Sequence, residues 1–273
     1  YPFYHQLCCT YELNLRIKES ITMKTYTKTA LIEALRNIRN LGWIANVRPG
    51  NAGGVGNTVE DILGIEENNL PLPNAADWEL KCQRSTSSLT TLFHMEPAPR
   101  AFKFVPNILL PLYGWKHQEA GSKYDDGEMS FRQTINGLSR TDRGFGIEVD
   151  WRKRKVIVSF DSSTVSDRHS EWLKWVDERI GLGELDPQPY WGFRDLFHKA
   201  GTKLRNTFYL RADRKRKDKT EYFNYKEIFI LESFSVERFV KGIEEGFVLI
   251  DFDARTGHNH GTKFRLRQDK LSD

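Results

Sequence analysis

Between residues 27 and 41 the apolar residues Ala30, Leu31, Ala34, Leu35, Ile38 and Leu41 recur at steps of three and four, which predicts an amphipathic helix closed at Gly42-Trp43. Farther along, the pattern changes to that of strands. Residues 88–93, 146–151, 155–160 and 247–253 read as strands. The middle pair encloses Arg152-Lys153-Arg154 and so predicts a hairpin with a basic tip, expected to extend the sheet that holds residues 79–81. Short helices are expected at 172–180 and 193–204, and a third runs from a Ser235 cap to Lys241, ending at Gly242 or Gly246. Residues 97–106 read as irregular and the stretch that follows as a long mixed loop. Phe208-Tyr209-Leu210 and Tyr222-Phe223-Asn224-Tyr225 flank the densest charge run, residues 211–219, which reads equally as a solvated hairpin tip or a phosphate-contacting arm.

One alternating stretch carries candidate chemistry. In Asp77-Trp78-Glu79-Leu80-Lys81, preceded by Pro73-Asn74, a strand would place Asp77, Glu79 and Lys81 on one face and bury Trp78 and Leu80 on the other. Carboxylate oxygens are the ligands Mg²⁺ prefers, and a lysine beside them can position a water and neutralise phosphate charge. The same alternation also describes an edge strand whose charges face solvent. Upstream, the glycine-rich residues 50–57 lead to Thr58, a candidate cap for a helix with Glu60 and Asp61 in its first turn. The Walker pattern fails there, because Val55 stands where its second glycine would fall and Asn57 rather than lysine follows Gly56. An ATPase is therefore disfavoured, leaving a flexible helix entry or a backbone open to another polyanion. Toward the C-terminus, residues 255–267 set His258, His260, Arg255, Lys263 and Arg265 around a glycine turn; arginine matches the major-groove acceptors of guanine in a bidentate fork. His258-Asn259-His260 also spells the H-N-H of ββα-metal nucleases, but the downstream ligands of such a site do not follow.

Composition narrows the class. With 273 residues, 39% of them hydrophobic, and seven Trp, ten Tyr and seventeen Phe, the chain can build a large core as one elaborated domain or two lobes. A net charge of +4 over 41 basic and 37 acidic residues suits a polyanionic partner weakly, so distribution matters more than the sum. Adjacent Cys8 and Cys9 with a separate Cys82 form neither a disulfide framework nor a thiolate cluster, and a cytoplasmic setting is expected. No apolar run suggests a signal peptide or a membrane span. Residues 1–22 lack a clear period and are expected to be a flexible or non-native leader before Met23.

An ordered series of motifs adds a resemblance. P-G-N-A-G-G-V-G-N-T-V-E-D-I-L from Pro49, E-E-N-N-L-P-L-P-N-A-A-D-W-E-L-K through Lys81, S-L-T-T-L-F at Ser88, E-V-D-W at Glu148, Y-W-G-F at Tyr190, G-I-E-E-G at Gly242 and H-N-H-G-T-K-F-R at His258 resemble the MvaI/BcnI family of restriction endonucleases, in order and over nearly the whole chain from Met23. The resemblance implies an α/β PD-(D/E)xK fold, a mixed sheet flanked by helices, with two lobes around a DNA cleft and an architecture similar to the nicking enzyme MutH. It places the catalytic lobe at residues 23–185 and the recognition lobe at 186–273. It also implies a Mg²⁺-dependent type II enzyme cutting double-stranded DNA at a short GC-containing site resembling CCNGG, a monomer, and a companion DNA methyltransferase.

Matched residue by residue, Glu79 and Lys81 fall on the family's E-x-K pair, and Glu60 on the glutamate of the helix after the glycine loop. Asn74 departs from the pattern, standing where the family carries aspartate. An amide oxygen brings no charge to a metal, so Asp77 is the candidate replacement, and a catalytically impaired DNA-binding protein is the alternative. A nucleotide-handling protein is the other rival. His258, His260 and Arg265 match guanine-reading positions, and Asp251 matches an acceptor for a cytosine amino group. Asp253 is a second departure, standing where an arginine is expected, and Arg255 is the candidate substitute.

Overall fold

The computed structural model describes residues 26–51, 53–65 and 78–270. Its elements are α1 (Lys28–Asn40), β1 (Trp43–Ala45), α2 (Gly54–Leu63), β2 (Glu79–Arg84), β3 (Leu89–His94), α3 (Leu110–Tyr113), β4 (Trp115–Lys116), β5 (Met129–Ile135), β6 (Phe145–Asp150), β7 (Lys155–Phe160), α4 (Ser170–Ile180), β8 (Tyr190–Gly192), α5 (Phe193–Leu204), β9 (Thr207–Lys217), β10 (Thr220–Leu231), α6 (Val236–Glu244), β11 (Val248–Arg255), β12 (His258–Asn259) and β13 (Lys263–Arg267). The expected leader, residues 1–22, lies outside the described residues.

Two compact units form, and neither is one continuous stretch. The first takes the described residues up to Ser85 together with Phe208–Ile230; the second takes Thr86–Thr207 and Leu231 onward. The consecutive lobes expected at 23–185 and 186–273 are thus divided differently. The reason is strand pairing, because β9 and β10 leave the second half of the chain to complete a sheet ordered β1-β10-β9-β2.

In the first unit, Thr27 caps α1, its side-chain oxygen accepting from the Ala30 amide at 3.3 Å. Leu31, Leu35 and Ile38 bury as the spacing predicts, whereas Leu41 is the C-cap and stays 64% exposed. They join Val55, Val59 and Leu63 of α2 and Leu80, Phe208, Leu210, Phe223 and Tyr225 of the sheet in one apolar cluster. Burying such side chains contributes roughly 1.5–3 kcal/mol each. The charge run at 211–219 is not a loop: β9 and β10 continue through it to a tight turn at Asp218, whose φ is +55°.

The second unit holds a sheet ordered β3-β13-β11-β5-β4, with β12 on β11, and a separate sheet ordered β6-β7-β8. The expected β6–β7 hairpin forms, with Asp150 opposite Lys155 so that Trp151 joins the turn, but it does not extend the sheet of residues 79–81; it pairs instead with β8. Two of the three tip cations are paired, Lys153 with Asp150 at 3.4 Å and Arg154 with Glu237 at 3.2 Å. Within the expected mixed loop lies β5, paired antiparallel with β11. Phe131, Phe252, Phe264 and Trp191 anchor the core beneath these sheets. Among the described residues no helix is long and apolar enough to cross a membrane.

Candidate functional site

Among the described residues the candidates fall in two sets, one in each unit. The first lies on β2 and α2. Trp78 and Leu80 bury as alternation requires, the Trp78 ring 4.8 Å from Phe208. On the alternate positions, Glu79 is only 9% exposed although β2 is the last strand of its sheet. Lys81 Nζ stands 3.6 Å from Glu79 Oε1. A carboxylate withdrawn from water this far costs several kcal/mol of solvation unless cations or hydrogen-bond donors compensate it. That burial separates the pair from a strand whose charges face solvent.

Glu60 reaches the same region from α2. The glycine loop itself forms the first turn of this helix, so α2 starts at Gly54 rather than after Thr58. Thr58 is not a cap; its hydroxyl donates to the Gly54 carbonyl at 2.7 Å inside the helix. A Cβ on Gly54 would fall 2.6 Å from Asn46 Nδ2, so any larger residue would have to displace the Asn46 amide. The bidentate pair of Arg48 with Asp61, at 3.0 and 2.6 Å, ties the loop to the helix. Gly64, at φ +67°, ends α2 one turn after Glu60. The charges of Glu60 and Lys81 both bear on Cys82: burial chiefly raises its thiol pKa, Glu60 raises it further and Lys81 opposes. The raised pKa disfavours the thiolate, the nucleophilic form of the side chain.

Asn74 and Asp77 lie outside the described residues. Among those described, no three His, Cys, Asp or Glu side chains gather as a ready metal site. In chemical kind, the buried Glu79 carboxylate beside Lys81 fits a hard divalent cation such as Mg²⁺, which takes oxygen ligands and completes its shell with water and phosphate.

The second set lies on one face of the sheet formed by β5, β11 and β13. Along β11, Val248, Ile250, Phe252 and Ala254 bury while Asp251, Asp253 and Arg255 turn the other way. Register brings Asp251 opposite Thr134 and Lys263, and Asp253 opposite Arg132. Asp251 accepts from Thr134 Oγ1 at 2.9 Å and pairs diagonally with Arg265 Nη1 at 3.1 Å, one position along β13 from its direct neighbour Lys263 on that face. Asp253 binds Arg132 Nε and Lys263 Nζ, each at 2.8 Å. Burial alone would raise its pKa, but the hydrogen bond from Lys263 and the charges of Lys263, Arg132 and His260 outweigh this and hold the carboxyl below its ordinary value. His258 and His260 are exposed on the β12 turn, with their rings edge to face at 4.2 Å.

Arg255 is placed differently from the other candidates. Its guanidinium pairs with Glu128 at 2.8 Å and lies 4.5 Å over the Tyr124 ring. The Glu128 hydrogen bond raises its already high pKa. Arg132 and Thr134 did not stand out in the sequence. Their signal is faint, since Phe131 and Ile135 bury around them but Ser130 does too, which blurs the period.

Comparison with known proteins fits this geometry. The sequence matches the model of the MvaI/BcnI restriction endonuclease family over residues 32–273. A structure of restriction endonuclease MvaI with its cognate DNA substrate is similar at a TM-score of 0.70 and 25% identity, covering 91% of this chain and 96% of that one. MvaI in the absence of DNA is similar at a TM-score of 0.51 and 26% identity, covering 92% and 96%. Among curated proteins no sequence matches.

Proposed function

The chain belongs to the MvaI/BcnI restriction endonuclease family, and from that premise we propose that it is a Mg²⁺-dependent type II endonuclease cutting double-stranded DNA at a short GC-containing site resembling CCNGG. The observation that carries the reading is the buried Glu79 carboxylate beside Lys81. The first unit is the catalytic one and the second the recognition one. Glu79 would hold the metal together with Asp77 and Asn74, and the ion when bound supplies Lewis-acid stabilisation of the charged phosphate. Lys81 positions the attacking water at its ammonium and offsets phosphate charge, while Glu60 supports the pair from α2. In the second unit Arg265, His258 and His260 donate to guanine edges, Asp251 accepts from a cytosine amino group, and Lys263 holds Asp253 in place. Asp251 and Arg265 fix each other's orientation, so the two readings are coupled.

The test is to incubate supercoiled plasmid DNA with enzyme and Mg²⁺ and to sequence the ends. Site-specific ends are expected, and their sequence gives the target. Retarded DNA without cuts would instead establish a binding protein that has lost catalysis, the reading that Asn74 favours. Absence of both would discard the proposal.

A further inference from the structure

Beside the β9–β10 turn the first unit contains a cavity of about 330 Å³ lined by Arg84, Arg214, Arg216, Lys219, Glu221 and the 46–51 loop. Four cationic side chains there face one carboxylate, and that carboxylate is already engaged. Glu221 pairs with Arg214, stands 3.6 Å from Arg84, and accepts from Asn46 Nδ2 at 3.1 Å. Among the described residues Arg216 and Lys219 have no carboxylate partner. Cations held this close repel one another, and the cavity is completed electrostatically only by an anion. Its loop wall is open as well: Gly50 has φ +84°, and no atom lies within 4 Å of where a Cβ would stand.

We propose that this cavity is a phosphate subsite for the DNA backbone, separate from the phosphate to be cut. The inference rests on the nuclease reading and deepens it. Three observations fix the ligand class. No aromatic or long aliphatic side chain lines the cavity to stack or enclose a base, which leaves phosphate rather than a nucleoside. Positive charge also continues past the cavity on the other face of the hairpin, through exposed Lys217 and Lys215, the latter 4.2 Å over Trp43; a chain of phosphates uses this and a single small anion does not. Finally, Arg84 lies five residues beyond Glu79 on β2, on the face of Leu80 and Cys82, so by strand geometry its Cα stands roughly 16 Å along the strand from Glu79. The subsite therefore lies clear of the Glu79 carboxylate, and a duplex that engages both has to span that separation.

Backbone contacts of this kind are independent of sequence and release counterions, so the readout is the slope of log affinity against log salt. Binding of wild type and of Arg216→Ala/Lys219→Ala to a random-sequence duplex of about 30 base pairs is measured by fluorescence anisotropy across KCl concentrations without Mg²⁺. The double variant is expected to flatten the slope by roughly one to two units, and Arg216→Lys/Lys219→Arg to restore it. Inorganic phosphate is titrated in parallel by calorimetry. An unchanged slope overturns the subsite; if wild type nevertheless binds inorganic phosphate and the double variant does not, the cavity serves free phosphate instead. A flattened slope in an enzyme that cuts no DNA would support the subsite while the nuclease reading fails, and an unchanged slope in an enzyme that cuts would do the reverse. Wild type that binds no duplex at any salt overturns both.

Discussion

At the scale of single residues the decisive distinction is between groups that act on the phosphate and groups that hold DNA. On the proposed function Glu79 and Lys81 belong to the first kind, so replacing either by alanine is expected to lower single-turnover cleavage at least about 100-fold, the usual worth of a positioned acid or base, with binding to the target largely retained. A Lys81→Ala enzyme that cuts at near wild-type rate would remove β2 from the mechanism. Asn74 raises a sharper question, since a metal left with one carboxylate binds weakly. If Asp77 supplies the second, Asp77→Ala is nearly as damaging as Glu79→Ala and Asn74→Asp changes little. The Mg²⁺ dependence of single-turnover cleavage separates the cases, and a fully active Asp77→Ala variant eliminates the takeover. The Glu79/Lys81 pair was legible in the sequence because strand alternation alone puts residues two apart on one face. The burial of Glu79 was not, since it depends on chain neighbours distant in sequence.

Helices with clear spacing and the β6–β7 hairpin form close to where their patterns predict, because local periodicity decides them. Which strands share a sheet does not follow from local pattern, and there β5 and the β9–β10 extension depart from expectation. The consequence bears on the proposed recognition face: β5 brings Arg132, 56% exposed, to the Asp253 carboxylate. With Nε on Asp253, its two terminal amino groups remain for the O6/N7 edge of a guanine. Arg132→Ala is therefore expected to relax discrimination at one base pair by roughly 5- to 150-fold, the equivalent of about 1–3 kcal/mol. Cleavage rates on singly substituted sites measure this, and an unaltered profile would rule Arg132 out as a reader. The same triad has a pH signature. The lowered pKa of Asp253 means its pairing stabilises the fold above the ordinary carboxylate range and is lost as pH falls through the folded value. Asp253→Asn should cost about 1–3 kcal/mol near neutrality and progressively less below about pH 4. Urea unfolding of both proteins across that range checks it; a cost independent of pH would mean that the amide's shape, not the lost charge, is responsible.

For the whole molecule, the count of catalytic groups per chain constrains how a duplex is severed. The E-x-K spacing occurs once in the sequence, at Glu79-Leu80-Lys81, and one such pair attends one phosphate at a time. A duplex presents two. A symmetric dimer would place a pair on each strand and cut both in one encounter, while a monomer must cut one strand, release or turn, and cut the other. On the proposed function the second course is expected, with Asp251, beside Thr134 and Arg265, and Asp253, beside Arg132 and Lys263, offering two different neighbourhoods to one target from a single chain. The expected outcome is a protein that sediments at its chain mass of 31.8 kDa when free and as one chain per duplex when bound, and that converts supercoiled plasmid first to nicked circles and then to linear DNA. Companion methylation of the target should block both steps. With enzyme in excess over sites, the nicked form must accumulate whenever the second cut waits on reorientation. Linear product appearing without a nicked intermediate, from an enzyme sedimenting at twice the chain mass, would make the dimer the active species and reassign the recognition face to half of a symmetric site.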